Sequence, residues 1–81
     1  MKLKFDPRDS AIKDLEKKAG GDRFAFLYAG TAVTNRYSYS VKYDSKKSKI
    51  VVEINKSNSC NLSKKTIKRY IKDSLERDKF I

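Results

Sequence analysis

At 81 residues the chain has room for one domain, residues 1–81. Folding at this size hides only about 60% of the surface that the unfolded chain exposes, so a single two-layer core is feasible and a deep enzymatic cleft is not expected. Twenty Lys and Arg against ten Asp and Glu leave a formal charge of +10, with no histidine and one cysteine. These counts exclude an internal disulfide, zinc-finger ligand sets, Cys/His nucleophile pairs and the commonest general base. The apolar run from Phe24 to Ala29 is far shorter than the ~20 residues that span a bilayer, so no membrane partner is expected. With nothing at the N-terminus that reads as a secretory signal, the lone Cys60 points to an intracellular, cytoplasmic protein.

Met1 to Phe5 alternates basic and apolar residues and reads as either an edge strand or a lead-in. Asp6-Pro7 reads as a helix start, with Asp6 at the N-cap, Pro7 at the first helical position and Asp9 beside the positive end of the dipole. The helix runs to about Ala19 on the stripe Ala11, Ile12, Leu15 and Ala19, and Gly20-Gly21 supplies a left-handed stop.

Three strand-like runs follow. In Arg23 to Ala29, Phe24, Phe26 and Tyr28 oppose Ala25, Leu27 and Ala29, so both faces are expected to be at least partly covered. Gly30 to Arg36 is a linker-like gap. In Tyr37 to Tyr43 the residues Tyr37, Tyr39, Val41 and Tyr43 oppose Ser38, Ser40 and Lys42, which demands one wet face. The tyrosines are the only apolar surface of that strand, so a core role is preferred for them over a base-stacking platform. Asp44 to Ser48 is a hairpin loop, and Lys49 to Asn55 is a third strand with Ile50, Val52 and Ile54 inward. After a polar connector, Ser63 is the N-cap of a final helix whose stripe is Ile67, Tyr70, Ile71, Ser74 and Leu75. The expected fold is α+β, α-β-β-β-α: a three-stranded antiparallel sheet with two helices on one face.

Charge is uneven along this order. From Lys42 to Lys72 there are ten basic residues against two acidic ones, the footprint of a nucleic-acid binder. Lys64, Lys65, Lys68, Arg69 and Lys72 gather on the last helix, three of them in its first turns, where free N–H groups and the dipole already favour phosphate. Cations there oppose helix stability, which argues for a use outside the fold. The hairpin lysines Lys46, Lys47 and Lys49 are expected to extend this track, and Arg36 is the candidate for a side chain that enters a groove. No paired carboxylates, metal-ligand cluster or Gly-rich phosphate loop is legible, so no cofactor, metal or catalytic residue is expected.

The α-β-β-β-α order together with Ser63-Lys64-Lys65-Thr66-Ile67-Lys68 resembles the double-stranded RNA-binding domain, which carries a Ser-Lys-Lys-x-Ala-Lys segment at the same place. The resemblance implies that Lys64, Lys65 and Lys68 straddle a major groove across its phosphates, while the first helix and the loop after the first strand reach the flanking minor grooves. The chain carries Ile67 and Tyr70 where that family has small residues, and Thr31 to Arg36 lacks its Gly-Pro-x-His loop. The order is also similar to that of the Alu-domain subunits of the signal recognition particle, which bind RNA mainly through the sheet. The arm-binding domains of phage-type integrases resemble it in a basic three-stranded sheet followed by a Lys-rich helix, and they read DNA. The expected function is non-enzymatic binding of nucleic acid, duplex RNA before DNA, with little sequence preference. The rival from another class is a small phage- or plasmid-type inhibitor that docks its basic surface on an acidic protein or in a nucleic-acid channel, with Phe80-Ile81 as a candidate apolar contact.

Overall fold

The N-terminal pentapeptide is a strand. In the computed structural model, which describes residues 1–81, the order is β1 (Lys2–Phe5), α1 (Asp9–Ala19), β2 (Phe24–Ala32), β3 (Tyr37–Asp44), β4 (Lys49–Lys56) and α2 (Lys64–Arg77). The fold is α+β with an antiparallel sheet and two helices, but the sheet has four strands in the order β1-β4-β3-β2, where the sequence led us to expect three. The reason lies in the alternation of Lys2 to Phe5. Leu3 and Phe5 fall opposite Val52 and Ile50, so pairing with the free edge of β4 buries both apolar side chains and leaves Lys2 and Lys4 in water.

α1 starts at Asp9, later than Asp6-Pro7 suggests, with Arg8 as an N-cap that makes no side-chain cap bond. Asp6 instead pairs with Lys49. The Arg8 N–H donates to the Phe80 carbonyl at 2.8 Å, which ties the start of α1 to the end of the chain. Gly20 ends the helix in the left-handed region at φ 57°, where a glycine carries no Cβ penalty.

β2 is longer than its sequence suggests and takes in most of the gap before β3, leaving a turn at 33–36. A β-bulge at Leu27 shifts its register: Phe26 faces Lys42, and the next aligned pair is Tyr28 with Val41. The bulge sends Tyr28 to the core side while Phe24 and Phe26 stay on the other, so the three aromatics do not share a face. Beyond it, Gly30 lies opposite Tyr39, and a Cβ there would meet the Tyr39 hydroxyl at 2.6 Å. The missing side chain lets the Tyr39 ring lie over β2, edge-on to Tyr28 with centroids 6.4 Å apart.

One core unites both helices with one face of the sheet. Leu3, Phe5, Val41, Tyr43, Ile50, Val52 and Ile54 meet Ala11, Leu15 and Ala19 of α1 and Ile67, Ile71 and Leu75 of α2. Tyr43 is fully buried, and its hydroxyl donates to Glu16 Oε1 of α1 at 2.5 Å. Burial, and then the neighbouring carboxylate, raise the phenol pKa and keep this donor protonated. Tyr70 departs from the expected stripe and is 40% exposed, with the Arg69 guanidinium 5.7 Å from its ring centroid. Phe80 folds back to stack on Tyr28, with the rings 6.3 Å apart and 20° from parallel.

Candidate nucleic-acid interface

α2 begins where the sequence places it. Ser63 Oγ accepts the Thr66 N–H at 3.2 Å, and the first turn contains no acidic residue. With Ile67, Ile71 and Leu75 buried, the 100° step of the helix sets Lys64, Lys68 and Lys72 in a row beside the core stripe, with Lys65 and Arg69 next outward. The row covers about 12 Å at 1.5 Å per residue. All five side chains are exposed. None joins an ion pair, since the pairs of the molecule are Arg23–Asp44, Lys42–Glu53 and Lys49–Asp6. The charge of the basic flank is therefore not neutralised by an ion pair within the chain.

The other expected contacts divide between the two ends of β3. Arg36 is exposed on the 33–36 turn in the left-handed region at φ 59°, and its carbonyl accepts the Ser57 N–H at 3.0 Å, which sets it beside the connector into α2. Lys46, Lys47 and Lys49 lie at the far end of the eight-residue β3, roughly 26 Å away at about 3.3 Å per residue. Lys49 is committed to Asp6. The hairpin backbone is fixed from below by Asp44, which accepts the Lys46 N–H at 3.1 Å and the Lys47 N–H at 3.4 Å, and is gripped by Arg23 through Nε and Nη2, both at 3.4 Å. Burial acts to raise the Asp44 pKa, but the Arg23 hydrogen bonds, the two N–H donors and the Arg23 charge outweigh it, and the carboxyl lies below its ordinary value.

A second basic surface, which the linear sequence did not reveal, lies on the uncovered face of the sheet. One row runs across the strands through Lys4, Val51, Lys42 and Phe26, and the next through Lys2, Glu53, Ser40 and Ala29. Phe26 is 62% exposed and Phe24 48%. They border a depression of about 450 Å³ whose lining carries five cations against two carboxylates. Of these carboxylates, Asp44 is held by Arg23, and Glu53 lies 4.0 Å from Lys42. The alternating lysines of β1 were a legible signal. The exposure of Phe24 and Phe26 was not, because it follows from the bulge and from both helices choosing the opposite face.

Carboxylates and Cys60 form no group of three or more that could hold a metal ion, and no helix is long and apolar enough to cross a membrane. No model of a protein family, no curated protein and no solved structure matches the chain.

Proposed function

We propose that this chain is a non-enzymatic nucleic-acid-binding domain whose helix α2 lays its basic flank along phosphates, with duplex RNA the favoured partner and duplex DNA the second form. One observation carries the proposal: Lys64, Lys65, Lys68, Arg69 and Lys72 are exposed, free of ion pairs and held in fixed relation by a helix whose adjacent stripe is buried. A rigid row of cations suits a regular phosphate backbone. It favours a duplex over a single strand because a duplex presents its phosphates at regular spacing, and α2 offers only one aromatic, Tyr70, whose ring is already approached by the Arg69 guanidinium. RNA is preferred to DNA on the resemblance of Ser63 to Lys68 to the double-stranded RNA-binding domain.

Gel-shift titrations with matched RNA and DNA duplexes across a range of salt concentrations test this. Five or so neutralised phosphates give a log–log slope of about −4 to −5 at roughly −0.9 per contact. Lys64→Ala with Lys65→Ala should weaken duplex binding more than Lys46→Ala with Lys47→Ala and leave the melting temperature unchanged. A slope near zero, or a larger loss from the hairpin pair, overturns the assignment to α2.

A further inference from the structure

We infer that the uncovered face of the sheet is a second binding site, specific for single-stranded nucleic acid, in which unpaired bases stack on Phe26 and Phe24 while Lys2, Lys4 and Lys42 hold the phosphates. The site stands apart from α2, which covers the opposite face of the sheet.

The first support is the position of the two rings. Burying a phenylalanine contributes about 1.5–3 kcal/mol, and this chain leaves two of them on the wet face of β2 while a partly exposed core-side position of the same strand is the small Ala32. The bulge at Leu27 maintains the separation, since it turns Tyr28 into the core without taking Phe26 along.

The second is the company they keep. Lys42 is directly across from Phe26, and Lys4 lies in the same row two strands further on, about 14 Å from Phe26 at the ordinary strand spacing. The Arg23 guanidinium stands 4.9 Å from the Phe24 centroid and is oriented by the buried Asp44. Arg23 thus covers one face of the Phe24 ring, while Phe26 has no such neighbour and is the more open of the two. Past the bulge, on the side of Phe26 away from Phe24, the face continues in small side chains, Ala29, Thr31, Ser38 and Ser40, which leave room for a chain to lie along it.

The third is charge. The aromatic centre of a protein-binding surface is depleted in lysine, whereas the depression beside these rings is lined by Lys2, Lys4, Lys42 and Lys47 together with Arg23, against Asp44, which Arg23 holds, and Glu53, 4.0 Å from Lys42. Aromatic faces interleaved with cations complement a strand that presents bases and phosphates in alternation.

The test uses the full chain, a short fluorescent oligoadenylate in ribo- and deoxyribo- forms, and fluorescence anisotropy. Phe26→Ala should weaken single-strand binding about 5- to 150-fold, the range that stacking of one base supplies. Phe26→Tyr should retain it, and Phe26→Leu should lose it with the alanine variant. Lys64→Ala with Lys65→Ala should leave it nearly unchanged, and Phe26→Ala should leave duplex binding unchanged, so the α2 proposal and this one fail separately. Wild-type affinity in Phe26→Ala, or full retention in Phe26→Leu, overturns the inference. So does an oligomer in size-exclusion chromatography that Phe26→Ala dissolves while the oligonucleotide fails to bind, because the face is then a protein contact.

Discussion

The two faces of the sheet are built from alternate residues of the same strands and have opposite fates. On β3, Tyr43 is fully buried under α1 with its hydroxyl satisfied by Glu16, while one position on, Asp44 turns to the other side and anchors Arg23 and the hairpin. On β2, Ala25 is buried and its neighbours Phe24 and Phe26 are not. Hydrophobicity alone therefore does not sort these residues. The face chosen by the helices does, and it leaves large apolar groups in water wherever pleat and bulge put them on the other side.

The sharpest way to break this contrast is Tyr43→Ala. Truncating a buried aromatic costs about 3–5 kcal/mol, a large share of the 5–15 kcal/mol typical of a domain. At about 4–8 °C per kcal/mol for a chain of this size, calorimetry should show the midpoint falling by at least about 12 °C. A fall of only a few degrees means that the covered face does not hold the fold.

Acid should act next, through Asp44. Its folded pKa lies below its unfolded value, so its contribution is fully present above the unfolded value of about 3.9 and is lost as pH falls through the folded value. The melting temperature of the wild type should drop on acidification below about pH 4, and Asp44→Asn should flatten that drop while lowering stability at neutral pH. Parallel pH profiles for the two proteins would remove Asp44 as the anchor of the open face.

The smallest effect belongs to Phe26→Ala, measured for stability rather than binding. An exposed substitution away from caps and pairs stays within about 0.5 kcal/mol, so the midpoint should move by less than about 4 °C. A loss that rivals Tyr43→Ala erases the distinction between the faces.

Much of this was legible in the linear chain. The alternation of Tyr37, Tyr39, Val41 and Tyr43 placed that strand's apolar side in the core, Ile50, Val52 and Ile54 did the same for the next, and Ser63 capped α2 as expected. Gly20 stopped α1 for a local reason, its freedom to take a positive φ. The start of α1 was misplaced because Asp6 found a long-range partner, Lys49, and left its local capping role. Tyr70 falls at the margin of the helical stripe, where periodicity cannot say how far the core extends.

The five cations of the α2 flank are a property of the sequence itself: a 3.6-residue period, a cap and a buried stripe suffice to put them together on one side. The open-face surface is a property of the tertiary structure. Lys2 and Lys4 come alongside Lys42 only because β1 adds to the edge of β4, about 50 positions later in the chain, and Phe26 joins them only because β2 pairs with β3 through a bulge. Local propensity and period are short-range and can be read from neighbours. Strand order, the choice of face and a bulge's register are settled by non-local pairing, in which the chain compares whole arrangements of buried surface.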